Sequence, residues 1–338
     1  DIALANAFIQ IANPFAASTV RATVRSFQPD VALVSQFAYH LSPSVFTALG
    51  GVPTVVSIMD YKTTCPIGTR LLPNGSVCRV RAGAVCRKSQ CVGTAHWLRD
   101  RPRYSRIARA IGSARRVLCS SNAMRADLAL SGIDAIPMPL AAREPEHERA
   151  RTPAGSPTFV YCGRLSREKG VAVLVAAFAR VVAMIPDARL RIVGDGSLRT
   201  QIGLLASALG VSSNIEFRGW VGRENVDAEV GDAWAVVAPS LWEEPFGLVA
   251  VESIMRGIPV VASGSGGFGE IVIRDASGIL VPPGDVASLA DALAAIARSE
   301  VFPRHRLDDD VIAATSEKYA FARHTARLRE VFSEVVGT

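Results

Sequence analysis

The sequence has no uninterrupted apolar run of about 18 residues, the length a membrane-spanning helix needs. Its richest apolar stretch, 241–263, is broken by Glu243, Glu244, Glu252 and Arg256. No transmembrane helix is therefore expected. Residues 1–20 lack the basic start and apolar block of a secretory signal. Cysteine is sparse, at 6 in 338 residues, which excludes a disulfide scaffold and makes a reducing cytoplasm the default compartment. Lysine is scarcer still: it supplies 4 of the 37 basic residues, so positive charge here is arginine charge. Charged residues make up only 20% of the chain against 49% hydrophobic, which rules out wholesale disorder.

What is present reads as an α/β protein of two domains. A chain of 338 residues is long for one ordinary core and suits two. Short β-rich runs fall at 31–35, 53–58, 116–119, 158–162, 190–193, 215–218, 235–238, 259–262 and 278–281. Ala/Leu-rich stretches alternate with them. The clearest is 171–185, with apolar residues at 171, 174, 175, 178, 181, 182 and 185, which is helical spacing. Strands alternating with helices mean βαβ units and parallel sheets. A polar, proline-punctuated linker at 146–157 divides a first domain, 1–145, from a second, 158–318. Residues 319–338 read as a closing helix.

Two motifs in the second domain carry chemistry. The first is Gly163-Arg164-Leu165-Ser166-Arg167-Glu168-Lys169-Gly170, between a strand and the long helix. A strand, a glycine turn and a helix start form an anion site, because free amides and the helix dipole point at it. Arg164 and Lys169 bracket that turn and suit a diphosphate; solvated loop charges are the competing reading. The second motif runs from Pro239 to Glu252 through Glu244-Pro245-Phe246-Gly247-Leu248-Val249. Pro245 and Gly247 turn the chain, so a helix starts near Gly247 and carries Glu252 on its second turn. Two carboxylates flanking a helix N-terminus fit a ligand with hydroxyls at both ends and charge in the middle, such as a nucleotide-sugar. The competing reading of Glu252 is an ordinary helix glutamate.

In order, Gly163-Arg164…Lys169-Gly170, Val193-Gly194-Asp195-Gly196, Glu244…Glu252, the run 257–263 and Gly278…Gly284-Asp285 resemble the retaining glycosyltransferases of family 4. The resemblance implies the GT-B architecture, two facing Rossmann-like domains with parallel sheets. It implies an acceptor-side first domain, a donor-binding second domain, and a last helix that returns to the first. It assigns Arg164, Lys169 and Glu244 as catalytic. Gly163, Arg164, Lys169, Gly194, Glu244, Phe246, Gly247, Leu248, Val249 and Glu252 would hold the donor, a nucleotide-diphosphate sugar. Arg164 and Lys169 would stabilise the leaving diphosphate, Glu252 would hold the ribose, and Glu244 would contact the sugar. No metal and no further cofactor is implied. The acceptor would be a glycan or a lipid-linked glycan.

The first domain resembles the family less tightly. The segments 27–31, 41–44 and 52–61 align with its middle, and Asp60 falls on the acceptor side. Elements that usually come first in the family are absent, so more sequence is expected before Asp1. Where the family commonly has a histidine, this chain has Met59, which cannot donate a polar hydrogen bond. The alternative function is therefore a catalytically weak sugar-nucleotide-binding protein. His40 and His96, lone histidines of the first domain, read as structural or surface residues rather than catalytic ones.

Residues 61–95 form a basic, cysteine-bearing insert. Cys65, Cys78, Cys86 and Cys91 lack a close Cys-x2-Cys pair, and zinc, disulfides and free thiols all stay open. Residues 61–120 hold thirteen Lys/Arg and one acid, Asp100, whereas the whole chain is only +6. Within 97–116 the arginines sit among Trp97, Leu98, Tyr104 and Ile107. This pattern suits an anionic membrane surface, and so a peripheral position on the inner membrane face. A solvated arginine-rich face is the alternative. No nucleic-acid reading motif accompanies it.

Overall fold

All nine runs expected as strands form strands, each within one residue of its expected ends. The computed structural model describes residues 9–38, 41–145, 153 and 155–337. His40 and residues 146–152 and 154 of the linker lie outside the described residues. Two compact units emerge. The first takes the described residues up to Pro139 together with those from His324 onward; the second is Leu140–Arg323.

The first unit is built on a four-stranded parallel sheet in the order β1 (Ala32–Ser35), β2 (Thr54–Ile58), β3 (Arg116–Cys119), β4 (Ile136–Pro137). Its helices are α1 (Pro14–Phe27), α2 (Ser44–Ala48), α3 (Ala84–Lys88), α4 (Thr94–Gly112) and α5 (Asn122–Leu130). The insert 61–95 is not a solvated loop. Arg70, only 2% exposed, forms an ion pair with Asp127 of α5 and donates from Nη1 to the Val80 carbonyl at 2.7 Å. Its own carbonyl accepts the Cys78 amide at 2.7 Å. The segment is thus pinned by a buried guanidinium. All six cysteines are free thiols, and burial pushes those of Cys86 and Cys91 up. Among the described residues no three His, Cys, Asp or Glu side chains group so as to hold a metal ion.

The basic run 97–116 also departs from a simple surface face. It lies largely on α4, yet Arg103 is buried and donates twice to the Ala38 carbonyl, at 3.2 and 2.8 Å. Asp100 is buried beside it, within 3.6 Å. The period of the helix turns Arg103 inward together with Ile107, Ala110 and Ile111, so this arginine is a core residue. Among the described residues no helix is long and apolar enough to cross a membrane.

The second unit holds six parallel strands in the order β10-β9-β8-β5-β6-β7. They are β5 (Thr158–Cys162), β6 (Arg189–Val193), β7 (Ile215–Gly219), β8 (Ala235–Ala238), β9 (Val260–Ser263) and β10 (Gly278–Val281). The connecting helices are α6 (Val171–Met184), α7 (Arg199–Ala208), α8 (Val226–Val230), α9 (Leu248–Met255), α10 (Phe268–Ile271) and α11 (Val286–Ala297). Every residue of β8 and β9 is buried, as expected where both faces of a parallel sheet are covered. β5 pairs with β6 on one side and β8 on the other, so the strand order reverses there. Such a switch point leaves a crevice at the C-terminal ends of the strands.

The closing helix forms as expected, over Phe321–Val336, and a separate helix precedes it. α12 (Asp309–Tyr319) ends before Ala320, whose ψ of 143° is extended, and α13 (Phe321–Val336) follows. The break lets the chain serve two cores. Tyr319 packs edge-on to Phe246 in the second unit, at 5.7 Å between ring centroids. Val331 of α13 is buried with Val55, Leu118 and Met138 of the first unit.

Candidate functional site

Three loops lock together where the second sheet reverses its order. After β5, the Gly163 amide donates to the Val193 carbonyl and the Leu165 amide to the Asp195 carbonyl, both at 2.9 Å. Gly194 makes this approach possible. Its φ is 129°, and a Cβ there would lie 2.0 Å from the Gly163 oxygen. The β5 loop is joined to the β8 loop in the same way. A Cβ on Gly170 would lie 1.8 Å from the Pro239 oxygen, and the Leu241 amide donates to the Glu168 carbonyl at 2.8 Å.

That joint brings Lys169 onto Glu244, 75 residues away in sequence. Lys169 Nζ donates to both carboxylate oxygens, at 2.9 and 2.8 Å. Glu244 is buried and also accepts from Ser240 Oγ at 3.0 Å and Trp242 Nε1 at 2.9 Å. The ammonium lies 5.1 Å from the centroid of the Trp242 ring. A carboxylate with this many donors is a fixed anchor, and it holds the Lys169 charge in one place. Arg164, by contrast, is exposed and reaches Glu168 at 3.4 Å. Its carbonyl accepts the Tyr161 hydroxyl at 2.6 Å, and burial raises the Tyr161 pKa, so that group stays a neutral donor.

Gly247, at φ 111°, turns the chain into α9. The first amide bonded back in this helix is that of Ala250, to the Gly247 carbonyl at 2.9 Å. The amides of Gly247, Leu248 and Val249 therefore precede the helical ladder and carry the positive end of its dipole. Phe246 is a wedge beneath the turn, buried in the core against Tyr319, so its side chain is a support.

Glu252 accepts from Arg223 at 3.4 Å. It shares a small cavity with Arg143, Asp227 and Arg256. Arg256 pairs with Asp227 and donates to the Glu252 carbonyl at 2.6 Å. Cys162, at the end of β5, lies close by; burial, reinforced by the Glu252 charge, pushes its thiol up to about 11.

Lys169 and Glu244 thus bond directly, Arg164 shares their loop, and Glu252 forms a separate ion pair on α9. Asp60 belongs to the first unit. It follows β2, accepts the Lys62 amide at 2.9 Å, and lines a small cavity with Met59 and Thr63. Three contributors were not anticipated. Trp242 and Ser240, which cage Glu244, lie in the quoted motif, and their polar hydrogens four or fewer positions from a glutamate were a usable signal. Arg223 carried no local signal, because only the fold brings it across 29 residues. Trp220 stands 79% exposed between Gly219, whose carbonyl accepts the Gly194 amide at 2.7 Å, and Val221, which packs against the buried cluster of Val160, Val193, Val230 and Val236.

This chain matches the family model for glycosyl transferases group 1 over residues 142–313, just over half its length. It is 36% identical over 209 residues to glycogen synthase of Mycobacterium tuberculosis, covering 58% of this chain and 49% of that protein. It is 32% identical over 231 residues to phosphatidyl-myo-inositol mannosyltransferase of Mycobacterium leprae, covering 65% and 59%. The chain thus spans about half the length of the curated relatives it matches. Among solved structures it resembles a glycosyltransferase from Rickettsia africae, with a TM-score of 0.71 at 15% identity, over 96% of this chain and 83% of that one. It also resembles Anabaena HepE in complex with UDP, with a TM-score of 0.67 at 17% identity, over 95% and 82%. The fold is that of GT-B enzymes, with two α/β domains on parallel sheets.

Proposed function

The chain belongs to the group 1 glycosyl transferases, and from that premise we propose that it moves a sugar from a nucleotide-diphosphate sugar to a glycan or lipid-linked acceptor, with retention of anomeric configuration. The observation that carries this reading is the fixed Lys169 ammonium on Glu244 at the strand-order reversal, next to the open amides of α9. Cleavage of the donor leaves a diphosphate with an extra negative charge. Lys169, Arg164 and the amides of Gly247, Leu248 and Val249 supply positive charge where that oxyanion forms, with little reorganisation. In this reading no metal ion takes part, and the leaving phosphate oxygen accepts the proton of the attacking hydroxyl. Glu252 takes the ribose hydroxyls once Arg223 yields. Glu244 meets the sugar through an edge of its carboxylate while anchoring Lys169, and Trp220 offers a face to the base. Asp60 stands on the acceptor side.

Thermal-shift measurements with UDP-, GDP- and ADP-sugars test donor binding, because a ligand of the native state raises Tm. Lys169→Ala is expected to lower transfer about 100- to 1000-fold. Proton NMR of the product gives its anomeric configuration. No Tm shift with any donor, or full activity of Lys169→Ala, would sink the assignment.

A further inference from the structure

A cavity of about 1090 Å³ opens in the first unit and plays no part in the donor reading. Its walls include Arg81, Arg109, Arg115, Arg116 and Arg327, with Glu334 and Asp134 as the only acids. Two of the arginines are already paired: Arg116 with Glu334 at 3.8 Å and Arg327 with Glu330 at 2.6 Å. Arg81, Arg109 and Arg115 are exposed and have no carboxylate partner among the described residues. Nothing nearby in sequence neutralises them. Asp100, the one acid in 61–120, is taken by His96, Arg99 and Arg103.

Three unpaired guanidinium groups around one concavity concentrate positive potential there. Guanidinium forks match oxyanions that present two or more oxygens. Ile107, Ile111 and Val117 line the same cavity, so its wall also suits the carbon part of an ester. We propose that this cavity binds a phosphate ester, through Arg81, Arg109 and Arg115. The ester comes either from a phospholipid headgroup or from a soluble polyol phosphate. The two sources share this chemistry and differ in what is attached to it.

The full chain is tested with two probes at physiological salt. One is sn-glycerol 3-phosphate, followed by calorimetry. The other is phosphatidylcholine vesicles with and without one-fifth phosphatidylglycerol, followed by co-sedimentation. Arg81→Ala/Arg109→Ala/Arg115→Ala is compared with a charge-matched control, Arg25→Ala/Arg298→Ala/Arg329→Ala, whose sites lie outside the cavity. The expected result is a loss of at least tenfold in the cavity variant, near-wild-type binding by the control, and an unchanged donor-induced Tm shift in both. Glycerol 3-phosphate binding without sedimentation identifies the soluble source; sedimentation only with the anionic vesicles identifies the lipid. Failure of both probes to bind wild type overturns the proposal, as does an equal loss in the two triple variants, which would make the attraction one of bulk charge.

Discussion

Cys162 sits between the β5 loop and α9, and its thiol is held protonated by burial, with Glu252 opposing ionisation and Arg256 favouring it. This has a consequence for stability. In the unfolded chain the thiol ionises near its ordinary value of 9.0, and in the folded protein only near 11. A folded-state pKa raised in this way favours folding fully below about pH 9. The unfolded state then gains by releasing the proton, so stability falls as pH rises from 9 to 11 and the loss levels off above that. Cys162→Ala removes this dependence, worth about 3 kcal/mol at most. Urea unfolding of both proteins between pH 7.5 and 10.5 should give curves that converge with pH. Tyr161, also raised by burial, is common to both and cancels in the comparison. Parallel curves would mean that the thiol is solvated in the native state.

At the scale of elements, the insert 61–95 depends on one buried pair. Arg70 and Asp127 are 57 residues apart, and both are more than nine-tenths buried. Removing the carboxylate in Asp127→Ala strands a buried cation, which costs about 3–5 kcal/mol. The expected outcome is a lower Tm for the first unit in calorimetry and faster proteolysis within 61–95. An Arg70→Met/Asp127→Leu protein, with no charge left to strand, should recover most of the loss. A stable Asp127→Ala protein would show that the pair is incidental. Nothing local in the sequence marked this pair, which left zinc and disulfides as the candidates for holding the segment. The strands were legible because both-face-buried parallel strands read as short Val/Ile/Ala-rich runs, such as 235–238 and 260–263. β4 was not, because Ile136–Pro137 is two residues long and its proline cannot donate to a ladder. The site followed the same rule. Its motifs, each contiguous, were readable, whereas the Lys169–Glu244 and Arg223–Glu252 bonds are made by the fold.

Across the whole molecule, the chain passes from the first unit to the second near Pro139 and returns near His324. The return has structural weight. α13 is strongly amphipathic, and its one fully buried residue, Val331, closes a core with Val55, Leu118 and Met138 from three strands or strand ends of the first sheet. The second unit has its own cores. One lies under β5 and β6 with α6 and α11; another is built around Phe246, Ile254 and Tyr319. The extended Ala320 separates α13 from Tyr319, so α13 can be altered without touching that core. Val331→Asp places a charge against Val55 and Leu118, where an unpaired carboxylate is strongly disfavoured. Calorimetry of the full chain should then show the first unit melting earlier, while the transition of the second unit keeps its midpoint. Val331→Ala should give the same pattern with a loss of about 1–3 kcal/mol from a smaller packing defect. Equal displacement of both transitions would mean that the two units unfold as one, and that α13 does not belong to the first core alone.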